Sequence, residues 1–382
     1  MNYLDVINKF KTPTYVYDIN ILEKRIKYIK SKLKYKIIYA VKANTFVLPF
    51  IDNLIDGYEI CSPGEFRIME KLNIDKDKYV ISGVYKDEES ISYMIKNDIK
   101  KFTIESINQY KLLIKLTKKY NKKINVLIRL TSNNQFGVTE DEFKEIIKTK
   151  NNCINIVGIE YFSGTQKHSI KKINKEIDYI IGFINEIEKE YNIEINEVEY
   201  GTGSPVYYFK DEEFDEEKYF DELNIALSKI NKKVSLEIGR SMVASSGFYF
   251  TSVVDLKSNK YGNNVILDGG INQLVYYGQT MAMRIPYFDV YPIRNKIEKN
   301  YNLYGSLCTV NDIIVKNVSL SELKINDTFI FKNVGAYSST EGISLFLSRD
   351  LPKIVIYDQY GVYHLVRDII KTSVINFPKK EV

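Results

Sequence analysis

Few side chains in this sequence suit chemistry built on histidine or on thiol metal ligands. His168 and His364 are its only histidines, too few for a mechanism built on several imidazole ligands and a poor basis for one built on a histidine base. Cys61, Cys153 and Cys308 are odd in number and follow no metal-ligand spacing, so they read as free thiols rather than as a disulfide framework or a structural zinc site. The remaining candidates stand where apolar runs end. They are Lys42 after Tyr39-Ala40-Val41, the stretch from Asn134 to Gly137, Ser163 to Gln166, Gly201-Thr202-Gly203, and Glu237-Ile238-Gly239-Arg240. Together they offer an amine, hydroxyls, a carboxylate and unhindered backbone N–H groups. Taken singly, each has a plainer reading as a solvated strand end, a turn or a surface ion pair.

What gives the set its force is the elements that must carry it. Short β-branched or aromatic runs alternate with amphipathic stretches: KIIYAVKA then EFRIMEKL, KYVISGV then EESISYMIK, INVLIRL then EDEFKEIIKT. The alternation continues through INIVGIEYFSG, the helical KKINKEIDYIIGFINEIEKEY, INEVEYGTG and KVSLEIG, and it predicts an α/β fold with a (β/α)8 TIM-type barrel. Such a barrel keeps its reactive groups where strands end, which is where the five segments lie. After about Gly247 the pattern turns to strand-like runs joined by Gly, Asn and Asp turns, such as FYFTSVVDLK, NNVILDGG and DTFIFKNVG. The expected organisation is a barrel over residues 20–247 and a mostly-β sandwich or barrel domain formed by 1–19 and 248–382.

Composition narrows the function classes. A hydrophobic fraction of 45% with 27% charged residues is that of an ordinary globular protein, and no apolar run approaches the length of a membrane span. A net charge of +5, with lysines spread along the chain, argues against a nucleic-acid surface. The N-terminus lacks the order of a secretory signal, so the cytoplasm is expected.

Seven ordered motifs carry a resemblance that spans nearly the whole chain. Tyr39-Ala40-Val41-Lys42-Ala43-Asn44, Gly57-Tyr58-Glu59-Ile60-Cys61-Ser62-Pro63-Gly64-Glu65, Gly201-Thr202-Gly203 and Glu237-Ile238-Gly239-Arg240 resemble the group IV pyridoxal-phosphate decarboxylases, the family of ornithine, arginine and diaminopimelate decarboxylases. Leu267-Asp268-Gly269-Gly270, Gly305-Ser306-Leu307-Cys308 and Gly335-Ala336-Tyr337 come after them in the family's order. The resemblance implies an alanine racemase-like barrel that binds pyridoxal 5'-phosphate. It makes Lys42 the Schiff-base lysine and places Glu237 beside the pyridine nitrogen, where it would strengthen the ring as an electron sink. Gly201, Gly203, Gly239 and the backbone of Arg240 would hold the phosphate, helped by the hydroxyls of Thr165 and Tyr337. Cys308, delivered from a partner subunit, would reprotonate Cα of the quinonoid intermediate, which makes a homodimer the expected assembly. Asp268 and Asp312 could orient substrate or could be turn residues.

The departures from the family pattern matter as well. Phe162 stands where family members usually have a histidine stacked on the cofactor ring, and an aromatic face can still stack there. Thr309 replaces the acid that comes after the cysteine in diaminopimelate decarboxylases, and Val275-Tyr276-Tyr277 replaces their Arg-Pro pair, leaving Thr309 and Tyr276 as substrate-facing candidates. The expected reaction is therefore decarboxylation of an α-amino acid, free or tethered to a carrier protein, in a branch resembling secondary-metabolite enzymes rather than ordinary lysine biosynthesis. An amino-acid racemase or epimerase and a non-catalytic cofactor carrier are the alternatives.

Overall fold

The computed structural model describes residues 1–149, 151–260, 262–277, 282–294 and 299–378. The chain divides into two compact units, one formed by Ile26–Pro205 and Asp215–Arg240, the other by Met1–Arg25, Val206–Phe214 and Ser241–Val382. The second unit opens the chain with β1 (Thr14–Asp18), and the first then contributes eight consecutive strands. These are β2 (Lys36–Ala40), β3 (Gly57–Ile60), β4 (Tyr79–Ile81), β5 (Lys101–Ile104), β6 (Ile124–Arg129), β7 (Ile154–Tyr161), β8 (Glu197–Gly201) and β9 (Lys233–Ile238). They pair in sequence order, all parallel, and β9 returns to β2 to close the barrel that the alternating pattern predicts.

Local chemistry explains the helices between them. Pro63 opens the helix Pro63–Lys71 behind Ser62, whose side chain accepts the Glu65 N–H, and Thr139 forms a reciprocal capping box with Glu142 at the start of Glu140–Lys148. The helix Ile170–Tyr191 buries Ile173, Ile177, Ile180, Ile184 and Ile187, a single stripe at helical spacing that seals one side of the barrel. Within the barrel, register decides the site. Ile38 of β2 lies opposite Glu237 of β9, and Tyr39 opposite Ile238, so the turn after β2 and the last residues of β9 emerge side by side.

The other unit is a nine-stranded mixed sheet built from β1 and the later strands β10 (Gly247–Asn259), β11 (Gly262–Leu267), β12 (Phe288–Tyr291), β13 (Lys299–Tyr304), β14 (Ile313–Leu320), β15 (Thr328–Lys332), β16 (Lys353–Tyr357) and β17 (Tyr363–Arg367). Its core gathers Val6, Val16, Phe250, Ile330 and Val355. The segment Val206–Phe214 groups with this sheet although it lies inside the stretch that the sequence assigns to the barrel. Asn333 donates to the Tyr207 carbonyl at 3.1 Å, and Arg284 pairs with Asp211 and Glu212 at 2.9 and 2.7 Å, which ties the segment there.

Candidate active site

Four barrel strands carry the same three-residue pattern, an apolar or aromatic residue on each side of a glutamate: Tyr58-Glu59-Ile60, Ile159-Glu160-Tyr161, Val198-Glu199-Tyr200 and Leu236-Glu237-Ile238. Alternation along a strand sends the flanking residues toward the helices and the acid into the barrel. Glu105, immediately after β5, joins them, and Glu59, Glu105, Glu160 and Glu199 are all buried. The positive charges answering them are Arg129, which pairs with Glu105 at 3.3 Å and Glu160 at 3.4 Å, Lys101, at 3.6 Å from Glu199, and Lys42.

Lys42 sits in the single 3-10 turn Val41–Ala43 directly after β2, more exposed than a strand-end residue would be. Its ammonium is ion-paired with Glu59 and lies 3.4 Å from Cys61 Sγ, while the Cys61 thiol donates to the other Glu59 oxygen at 3.0 Å. Burial pushes Glu59 upward, but Lys42, the Cys61 thiol and Arg129 outweigh it and hold this carboxylate below its ordinary range. The Cys61 thiol is pushed well up, first by burial and then by Glu59.

Glu160 and Glu237 go the opposite way. Burial raises Glu160 to about 8, with repulsion from Glu59, Glu105 and Glu199 overriding the attraction of Arg129. Glu237 is driven well above its ordinary value by burial and by Glu59, Glu160 and Glu199, with Lys42 opposing the shift. Its Oε1 is buried and has no hydrogen-bond partner among the described residues. A carboxyl in that setting keeps its proton and presents it to any basic atom that arrives.

The ends of β7, β8 and β9 supply the remaining residues. A side chain at Gly201 would place its Cβ 2.3 Å from the Phe162 ring, and Gly203 has a φ of +56°, so both positions need glycine. The Thr202 N–H reaches the Glu237 carbonyl at 3.4 Å, and the Arg240 guanidinium donates to Thr165 Oγ1 at 3.3 Å, linking the glycine turn and the Gly239-Arg240 turn to the same rim. The barrel thus brings together Lys42, Phe162, Thr165, Gly201, Gly203, Glu237, Gly239 and Arg240. Sequence reading passes over Glu160, Glu199, Arg129 and Glu105 as candidates, although the repeated apolar-Glu-apolar pattern is an available signal.

Asp268, Tyr276, Cys308, Thr309 and Tyr337 belong to the β unit. Asp268 is occupied internally: it accepts from Thr12 Oγ1 at 2.5 Å, Thr251 Oγ1 at 2.6 Å and Ser252 N at 2.9 Å. Tyr276 is buried, packs on Tyr208 and Phe209, and donates to the Lys332 carbonyl at 2.9 Å, so its hydroxyl is a structural tie rather than an edge open to substrate. Cys308 is exposed. Thr309 caps the next turn, its hydroxyl accepting from Asn311 N at 3.3 Å and its carbonyl from Asp312 N at 3.2 Å. Asp312 anchors that loop by accepting the N–H of Ile271 at 2.9 Å and of Leu307 at 2.7 Å. Tyr337 holds a left-handed φ of +63°, unusual for a bulky residue, with its carbonyl accepting from Thr340 N and Glu341 N.

A closed parallel barrel that gathers a lysine, a buried acid and a glycine turn on one rim defines a fold and a site shared by a known class of enzymes. The sequence model described as "Pyridoxal-dependent decarboxylase, pyridoxal binding domain" matches residues 19–244, and the chain belongs to that family. It is a pyridoxal-phosphate-dependent decarboxylase, a carboxy-lyase. The chain is 28% identical over 364 residues to a diaminopimelate decarboxylase of Campylobacter jejuni, covering 88% of this chain and 89% of that one. It is 25% identical over 418 residues to an L-glutamyl acyl-carrier-protein decarboxylase of Niallia circulans, covering 96% and 94% respectively. The crystal structure of the diaminopimelate decarboxylase of Methanocaldococcus jannaschii superposes with a TM-score of 0.89 over 99% of this chain and 95% of that one, at 23% identity, a likeness of fold.

The barrel residues fit this cofactor. Glu237, its carboxyl held toward the protonated form and one buried oxygen without a partner among the described residues, would suit the ring nitrogen. Gly201 and Gly203 leave backbone uncovered for the phosphate, and the Phe162 ring lies against Gly201. When bound, the cofactor supplies an aldehyde for an amine and a ring that withdraws electrons from Cα. Among the described residues no helix is long and apolar enough to cross a membrane.

Proposed function

We propose that this enzyme removes the α-carboxylate of an amino acid, or of an amino-acyl group tethered to a carrier protein, and that diaminopimelate is not its preferred substrate. Lys42 is the amine that holds the cofactor aldehyde and afterwards moves protons; Glu59 keeps that amine charged and aimed until the cofactor arrives. Glu237 holds the proton at the ring nitrogen, Phe162 covers a ring face, and Gly201, Gly203, Gly239, Arg240, Thr165 and Tyr337 hold the phosphate. Cys308 of a second subunit returns a proton to Cα, so that the working form is a homodimer. The three cysteines, all free thiols, suit the reducing cytoplasm.

One observation carries the reading: Lys42 and Glu237 rise from hydrogen-bonded neighbours, β2 and β9, and the charge of Lys42 acts directly on Glu237. An amine and a proton-holding acid on adjacent strands of one barrel are what opposite ends of this cofactor require. The substrate statement is supported by Thr309 and by Val275-Tyr276-Tyr277, which lack the acid and the Arg-Pro pair of diaminopimelate decarboxylases, and by the carrier-protein substrate named for the Niallia circulans relative.

Release of CO₂ should be measured over free amino acids, diaminopimelate included, and over glutamyl carrier protein. Diaminopimelate should turn over at least about a hundred-fold more slowly than the best substrate, because a lost carboxylate clamp forfeits charge-assisted bonds; diaminopimelate as the best substrate would overturn the assignment. Lys42→Ala should abolish the borohydride-trappable cofactor adduct, and a retained adduct would remove Lys42 from the mechanism. Mixing inactive Lys42→Ala and Cys308→Ala subunits should restore part of the activity. Mixed dimers that form yet stay inactive would exclude a shared site.

A further inference from the structure

The buried barrel ion pair between Lys167 and Glu176 has no part in the mechanism. Lys167 is 5% exposed, and its ammonium donates to Glu176 Oε2 at 2.9 Å, to the Gly201 carbonyl at 3.0 Å and to the Tyr200 hydroxyl at 3.2 Å, which accounts for all three of its protons. Tyr200 in turn donates to Glu176 Oε2 at 2.7 Å, and Ser163 donates to Glu176 Oε1 at 2.6 Å. Burial lowers Lys167, and it raises Glu176 less than Lys167, Ser163 and Tyr200 lower it, so the pair stays ionised. Taking both charges out of water is costly, and such a pair is poor material for stability alone.

Its position suggests what it is for. The Lys167 backbone N–H donates to the Gly203 carbonyl at 2.8 Å while its ammonium grips the Gly201 carbonyl at 3.0 Å, so one residue clamps both ends of Gly201-Thr202-Gly203. The stem of Lys167 runs along the turn, and a Cβ at Gly203 would lie 2.9 Å from its Cγ. With both carbonyls drawn toward Lys167, the direction of the peptide planes in this turn is fixed by the chain itself before any anion binds.

We infer that Lys167 is a positioning residue that preshapes the Gly201-Thr202-Gly203 turn for the cofactor phosphate and so makes the protein select the phosphorylated over the unphosphorylated cofactor. The inference rests on the reading of that turn as a phosphate site. The test uses the cofactor-free full-length chain, titrated calorimetrically with pyridoxine phosphate and with pyridoxine, neither of which has an aldehyde to react with Lys42. Lys167→Met should weaken pyridoxine phosphate by about ten-fold or more while pyridoxine changes by less than about two-fold, the loss expected when charge-assisted bonds that order a site are removed. Should the single variant fold poorly with Glu176 left unpaired, Lys167→Met/Glu176→Gln replaces it and should give the same selective loss. Gly203→Ala is the control. If it loses the preference for phosphate and the Lys167 variants keep theirs, the inference is overturned; if Gly203→Ala also leaves the preference intact, the phosphate-site reading itself falls.

Discussion

Two acids of the β unit and the acids crowded inside the barrel differ in how their oxygens are satisfied. In the β unit, each carboxylate oxygen of Asp268 and Asp312 accepts at least one hydrogen bond from its own chain. In the barrel, Glu105, Glu160, Glu199 and Glu237 each keep one buried oxygen without a hydrogen-bond partner among the described residues, whereas Glu59 and Glu176, each paired with a lysine, are held below their ordinary range. Satisfied acids hold loops in place, and here Asp312 fixes the turn leading to Cys308. Glu160, Glu199 and Glu237, crowded and half-satisfied, raise the free energy of the folded chain and are pushed toward keeping their protons, which is useful where a ligand must be protonated. The contrast separates groups that serve architecture from groups that serve chemistry without reference to the reaction.

The sharpest way to break the contrast is to remove one acid from each side. Glu237→Ala should lower decarboxylation by about a hundred-fold or more, as expected for a lost proton holder, yet leave the melting temperature unchanged or raised, because a buried carboxyl with an unsatisfied oxygen is removed. A fall in melting temperature would place Glu237 among the architectural acids. Asp312→Ala should destabilise the protein by about 3 kcal/mol in denaturant titrations, since it strands the N–H groups of Ile271 and Leu307, and an unaltered midpoint would show that the loop does not need it. The smallest effect concerns pH. Glu160 titrates near 8 in the folded chain against an ordinary 4.5, so over that window the folded state binds the extra proton and stability falls as pH rises. Glu160→Gln should therefore gain on the parent as pH rises between those limits; parallel stability curves would show that Glu160 ionises normally.

Much of this is legible in the sequence, and the rest is hidden for identifiable reasons. The eight barrel strands announce themselves by regular alternation with amphipathic helices, and Lys42, Glu237 and the glycine turn stand at strand ends where a barrel exposes its groups. Glu160 and Glu199 escape notice because one polar residue inside an apolar strand is what a solvent-facing position also looks like. Only closure of the barrel turns that face inward. Lys167 is hidden for a related reason: a lysine in the polar run Gln166-Lys167-His168-Ser169 reads as surface, and its burial depends on Glu176 and Tyr200 from elsewhere in the chain. Val206–Phe214 has no period of its own, and long-range pairs such as Arg284 with Asp211 decide where it belongs. Tyr276 reads as facing substrate from its place in a motif, whereas its ring and hydroxyl are taken up by Phe209 and Lys332.

The parallel pairing of β1 with β16 sets the order of assembly during synthesis. Residues 14–18 align with residues 353–357, so the first strand made waits for one of the last before its second edge is covered. The eight barrel strands leave the ribosome in between and pair only with one another, free to fold while the amino-terminal strand is still unmatched. A chain cut short ahead of Lys353 would thus keep an intact barrel sequence and a bare strand edge, the form of the protein most exposed to aggregation.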